Sequence, residues 1–148
     1  MDTAVKPQGC TSTKLRQLMR VVAQHYDAEV GKSGLKTTQY SLLSTLLRQG
    51  PVRPGELAGA MRMDASTLTR NLQPLQAAGW VALTPGADGR SRCVQITEAG
   101  RAKRQQAQRH WHAAQEALNA RIGTGRVVAL HALIDEALAL LDADAQPH

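Results

Sequence analysis

Phenylalanine is absent from this 148-residue chain, and tyrosine and tryptophan occur only twice each. A core without large aromatic surface must come from Leu, Val, Ala, Ile and Met, which suits packed helices better than a sandwich of strands. Hydrophobic residues still make up 43% of the chain, enough for a sizeable core in one domain with helical extensions. Cysteine is scarce, and Cys10 and Cys93 alone make no disulfide scaffold. No apolar run approaches the roughly 20 residues of a membrane span. The opening MDTAVKPQGC lacks the hydrophobic stretch of a signal peptide, so the expected compartment is the cytosol, with no membrane partner.

Acidic charge is also in short supply, with 12 Asp and Glu against 18 Lys and Arg, a net +6. The excess is concentrated. Residues 48–104 hold nine Lys or Arg against four acids, whereas residues 105–148 hold three against five. A generally basic surface would spread its charge more evenly, so a basic middle points to a polyanionic partner.

Leu15, Leu18, Met19, Val22 and Tyr26 recur at spacings of three and four, which predicts a helix over Thr11–Val30 closed by Gly31 and Gly34. Thr37 or Thr38 is expected to cap a second helix, Gln39–Gln49, before the break at Gly50-Pro51. Pro54 opens a short third helix to Met61. Asp64 is a good N-cap for a fourth helix to Ala78, with Leu68, Leu72 and Leu75 on one face and Gly79 as its stop. Pro74 interrupts that helix chemically, but the apolar face continues through it, so a bend is expected rather than an end. Two short strands, Trp80–Leu83 and Ser91–Ile96, flank a turn-rich segment and predict a hairpin. Thr97 caps a long fifth helix to Ile122, and Gly123-Thr-Gly125 separates it from a last helix carrying Val127, Leu130, Ile134, Leu138 and Leu141.

The expected class is mainly α with a small β-hairpin wing (α+β). Three helices followed at once by a two-stranded wing form a DNA-binding arrangement. The terminal helices carry more apolar surface than that small unit needs, and a second copy of the chain is the simplest cover. The chain is therefore divided into an N-terminal dimerisation helix (1–36), a winged helix-turn-helix (37–100) and C-terminal dimerisation helices (101–148). At about 100° per residue, Ser66, Arg70 and Gln73 lie opposite the leucine stripe of the fourth helix, flanked by Thr67 and Thr69. Short hydroxyls let a helix sink into a major groove, while Arg and Gln reach base edges or phosphates. A merely solvated polar face is the plain alternative for the helix alone.

Enzyme chemistry finds little support. Ser66, Thr67 and Thr69 have no His or acid in the local pattern to activate a nucleophile. The carboxylates are scattered, and no glycine-rich phosphate loop occurs. His110 and His112 diverge by about 200° around a helix, so one helix cannot offer both to a metal. No cofactor or metal is implied, and an enzyme survives only as a site assembled between two copies.

Three stretches carry a resemblance to the MarR family of transcriptional regulators over nearly the whole chain. They are Gly34-Leu-Lys-Thr-Thr-Gln-Tyr-Ser-Leu-Leu43, the segment Met63–Trp80 with Pro74 included, and Asp88-Gly-Arg-Ser-Arg-Cys-Val-Gln-Ile-Thr-Glu-Ala-Gly100. The resemblance implies a homodimer on a pseudo-palindromic double-stranded operator, usually as a repressor. The motif Asp88-Gly-Arg90 has the family's wing form, with Arg90 at a minor groove and Asp88 fixing the turn. Arg92, Arg101, Lys103 and Arg104 are read as phosphate partners or solvated charges. Some relatives bind small, often aromatic acids in a crevice between the helical and DNA-binding lobes, where Arg20, His25, Tyr40, His110 and Trp111 are expected. The same His and Trp spacing also suits core or interface residues. Other relatives sense oxidants through a cysteine near the start of the first helix. Cys10 lies two residues early for that place when Tyr26, Gln39 and Tyr40 are matched, and Arg16 stands where a helper tyrosine would be. An oxidant or soft-metal sensor at Cys10 is the alternative to a crevice effector; an inconsequential tail residue is the plain reading. Cys93 reads as a small packing residue.

Overall fold

A computed structural model describes residues 4–145 of the chain. The outermost parts of the expected terminal segments, residues 1–3 and 146–148, lie outside the described residues. The elements follow in the expected order: α1 Thr11–Val30, α2 Thr37–Gln49, α3 Pro54–Ala60, α4 Ala65–Ala77, β1 Val81–Pro85, β2 Arg92–Ile96, α5 Glu98–Ile122 and α6 Thr124–Ala145. The class is mainly helical with one antiparallel hairpin, in which Val81 pairs with Ile96 and Pro85 with Arg92.

Local chemistry accounts for most boundaries. Pro54 opens α3, where its missing N–H costs nothing. Asp64 caps α4 by accepting from the Thr67 N–H at 2.7 Å. Thr97 caps α5: its Oγ1 accepts from the Gly100 N–H at 3.0 Å and donates to the Gly79 carbonyl at 2.6 Å. The end of α4 and the start of α5 are thereby tied through one hydroxyl. Helix α4 runs through Pro74, because buried Leu68, Leu72 and Leu75 hold both halves to the core. Gly79, at φ 78°, lets the chain leave the helix.

Several details differ from the expectation. The first helix ends at Val30 with Gly31 as its C-cap, as expected, but the chain continues through a 3-10 turn, Gly31–Ser33, before Gly34 at φ 87° turns it away. Neither Thr37 nor Thr38 caps α2. Thr37 is its first helical residue, and its N–H donates to Asp27 Oδ1 on α1 at 2.8 Å. Trp80 is not a strand residue, since its N–H turns back to the Leu75 carbonyl at 2.9 Å, so β1 starts at Val81. Val52 exchanges two backbone hydrogen bonds with Val94, at 3.0 and 2.8 Å, and anchors the hairpin to the α2–α3 loop. Gly125 lies inside α6, leaving Gly123 at φ 104° as the joint.

The core joins α2, α3, α4 and the hairpin. Leu35, Leu42, Leu43, Leu46, Leu57, Leu68, Leu75 and Val94 are fully buried, each stabilising by roughly 1.5–3 kcal/mol. Buried Ala107 and Ala114 let α5 approach its neighbours closely. Helix α1 is stitched to it where His25 Nε2 donates to the Ala114 carbonyl at 2.9 Å and the Tyr26 hydroxyl donates to Gln115 Oε1. The outer faces are different. Leu15, Met19 and Val21 on α1, and Val128, Leu133, Leu140 and Leu141 on α6, are 52–66% exposed. Among the described residues, no helix is long and apolar enough to cross a membrane.

Candidate nucleic-acid interface

The polar face of α4 begins at its cap. Asp64 accepts from the Thr67 backbone and from the Ser66 hydroxyl, the latter at 2.9 Å. Those bonds hold the Asp64 carboxyl at a pKa of about 2, the Thr67 N–H contributing most. Ser66, Thr69, Arg70 and Gln73 are exposed, and Thr67 is half-buried. Thr69 turns its hydroxyl back to donate to the Ala65 carbonyl at 2.9 Å, which engages its one O–H within the helix. Arg70 Nη2 donates to Thr67 Oγ1 at 3.2 Å, which steadies the guanidinium over the helix. The outer row is thus Ser66, Arg70 and Gln73, with Thr67 as a buttress.

The wing is organised by Asp88. Its Oδ1 accepts from the Arg90 and Ser91 N–H groups, both at 3.0 Å, and from the Ser91 hydroxyl at 2.8 Å. Led by the Ser91 backbone bond, this network lowers the carboxyl pKa to about 2. Arg90 and Arg92 remain exposed, one on the turn and one on β2. A further cation joins them: Arg53, the N-cap residue of α3, approaches Asp88 Oδ2 at 3.9 Å. Sequence reasoning missed Arg53 because no periodicity links residue 53 to residue 88.

Two basic residues assigned to phosphate or solvent turn elsewhere. Arg104 Nε donates to Ser44 Oγ at 2.8 Å, with its guanidinium 5.5 Å from the Tyr40 ring centre. Lys103 lies 5.3 Å from the Trp80 ring centre. Arg101 stays exposed.

Of the five residues expected in the crevice, the structure brings together Tyr40 and Trp111, stacked with centroids 5.9 Å apart and planes at 23°. They line a cavity of about 360 Å³ between α2 and α5, with Ser44, Arg48, Arg104 and His112. No carboxylate lines it. His25 sits instead in the α1–α5 seam, and His110 Nδ1 faces Glu29 Oε1 at 3.2 Å in the same seam. Arg20 is exposed on α1. Arg48, Arg104 and His112 were missed because α2 and α5 meet only in the fold. Cys10 is the exposed N-cap residue of α1. Its thiol pKa is lowered by the Thr13 backbone N–H, then the Thr13 hydroxyl and the Ser12 N–H. The helix terminus supplies that effect.

The MarR family model matches residues 33–91. The HTH-type transcriptional regulator PecS of Dickeya dadantii is 30% identical over 103 residues, covering 67% of this chain and 61% of PecS. The uncharacterised HTH-type transcriptional regulator YwoH of Bacillus subtilis is 29% identical over 90 residues, covering 61% of this chain and 66% of YwoH. The chain thus spans just under two thirds of these curated relatives. The M. tuberculosis transcriptional regulator MosR, solved in complex with DNA, superposes with a TM-score of 0.71 at 31% identity, covering 88% of this chain and 98% of MosR.

Proposed function

This chain belongs to the MarR family, and from that premise we propose that it is a transcriptional repressor that binds duplex DNA as a homodimer and is released by a small anionic effector. The observation that carries the DNA reading is the capped helix α4, whose exposed Ser66, Arg70 and Gln73 precede at once a wing with exposed Arg90 and Arg92. The MosR complex supports it by analogy. Residues 37–100 form the DNA-binding part. Residues 1–36 and 101–148 form the dimerisation part, a division that the exposed apolar faces of α1 and α6 support. Two half-sites then lie about one helical turn apart, roughly 34–36 Å.

The effector seat in this reading is the α2–α5 cavity. Arg48 and Arg104 supply positive charge, stacked Tyr40 and Trp111 supply aromatic surface, and no acid opposes an anion. A planar aromatic carboxylate fits that chemistry. The helix-terminal lowering of the Cys10 thiol pKa favours a second reading, in which an oxidant or soft metal acts there. The test is selection of a binding sequence from random duplexes, followed by titration with and without benzoate or salicylate. Operator affinity should fall with the ligand in wild type and in Cys10→Ser, and be insensitive to it in Arg104→Gln. Loss of response in Cys10→Ser alone would favour the thiol, and no sequence enrichment would end the DNA reading.

A further inference from the structure

Helix α3 ends at Ala60 with Met61 as its C-cap, and Arg62 occupies the left-handed position beyond it, at φ 53°. It is the one non-glycine residue with positive φ among the described residues. Its N–H donates to the Gly59 carbonyl at 3.1 Å and the next N–H, of Met63, to the Ala58 carbonyl at 2.9 Å. This is the helix-ending motif in which glycine is the ordinary choice, because a Cβ is disfavoured there. An arginine at such a place must contribute something glycine would not.

What it contributes is visible in its side chain. Arg62 Nη1 donates to Asp142 Oδ1 at 2.8 Å and Nη2 to Asp142 Oδ2 at 2.6 Å, a fork across 80 residues of sequence. One end stands two residues before Asp64, the cap of α4, and the other on the last turns of α6. Met61 and Met63, on either side, pack against the core, so the turn itself is held and the guanidinium is directed. We propose that Arg62 and Asp142 form a latch that fixes the orientation of α4 relative to α6, making Arg62 a positioning residue for DNA recognition. In a dimer joined through α1 and α6, that orientation sets the separation of the two recognition helices. The inference rests on the dimeric DNA-binding reading for its consequence, but not for its mechanics.

A pair that is half exposed at both ends adds little to global stability. Its effect should appear in geometry instead. Two measurements separate the mechanics from the consequence. In the first, spin labels at Gln73→Cys on α4 and Glu136→Cys on α6 report the orientation of the two helices within one chain, with Cys10 and Cys93 replaced by serine and labelled protein diluted into unlabelled. The latched protein should give one narrow distance. Asp142→Asn and Arg62→Gly should broaden it, and the exchanged pair Arg62→Asp with Asp142→Arg should narrow it again. In the second, the selected operator is compared with duplexes whose half-sites are one base pair closer or farther. The single variants should lose about two- to fivefold of the wild-type discrimination, and the exchanged pair should recover it, with melting temperatures little changed. Unaltered distance widths in both single variants, or an exchanged pair that behaves like them, would overturn the latch. Widths that respond as expected while no protein discriminates operator from random DNA would sustain the latch and defeat the DNA reading.

Discussion

Arg70 and Arg90 are both exposed arginines, yet their supports assign them different work. Arg70 rests on Thr67 in the middle of α4, where a side chain meets base edges if the helix enters a major groove. Arg90 stands on a turn pinned by Asp88, at the tip of the wing, where a side chain meets a minor groove if α4 enters the major groove beside it. Arg70→Ala should weaken operator binding by about 1–3 kcal/mol and relax preference at one base position. Arg90→Ala should weaken binding with little change in major-groove preference. Anisotropy titrations against single-base operator variants separate the two; equal loss on every sequence for Arg70 would make it a phosphate contact. The carboxylates beneath these arginines titrate unusually low, Asp64 and Asp88 each at about 2 against an ordinary 3.8. A depressed carboxyl pKa contributes stability that is fully present above pH 3.8 and lost as pH falls through about 2. Melting temperature between pH 4 and pH 2 should therefore fall more steeply for wild type than for Asp64→Asn with Asp88→Asn. Gly100 is a third residue-scale case. A Cβ there would overlap the Trp80 carbonyl oxygen and lie 2.9 Å from Ile96 Cγ1. Gly100→Ala should cost about 1–3 kcal/mol, read as a lower denaturant midpoint. That demand for glycine is invisible in the sequence, where Gly100 is only the third residue of a helix.

At the scale of elements, the legible parts were those whose signal is local. The caps Asp64 and Thr97, the leucine stripe of α4 and the turn-rich wing each announce themselves within a few residues. Pro74 shows the limit of a local rule, since three buried leucines outweigh one missing hydrogen bond. The Val52–Val94 pairing was not legible, because a single valine between Pro51 and Arg53 has no period to detect. The α2–α5 cavity was half legible: aromatic Tyr40 and Trp111 stood out, whereas Arg48 and Arg104 were indistinguishable from surface charge. His25 and His110 failed for the opposite reason, being conspicuous residues engaged in holding α1 to α5. Gly125 offers a check on the helix that was expected to start after it. It is helical, and an added Cβ meets nothing within 4 Å. Gly125→Ala should stabilise by about 0.4–1 kcal/mol in chemical denaturation, where a true break at Gly125 would give a loss.

For the whole molecule, the distribution of surface decides the account. Positive charge is concentrated in residues 48–104, and exposed apolar side chains lie on α1 and α6. Helix α6 carries apolar residues on all sides, a pattern that is stable only when covered. Helix α5, 25 residues long, runs from the wing to the joint with α6 at Gly123 and so connects the two regions as one rod. A ligand between α2 and α5 need not touch DNA to affect it. It need only favour one lobe arrangement, and its coupling to DNA is then reciprocal, typically about 1–3 kcal/mol. The direct measurement of the central claim is stoichiometric titration of the selected operator duplex, by sedimentation of the complex at two salt concentrations. Two chains should bind per duplex, with affinity falling steeply as salt rises and a clear preference over a scrambled duplex of equal length. One chain per duplex, or equal affinity for the scrambled sequence, would contradict it.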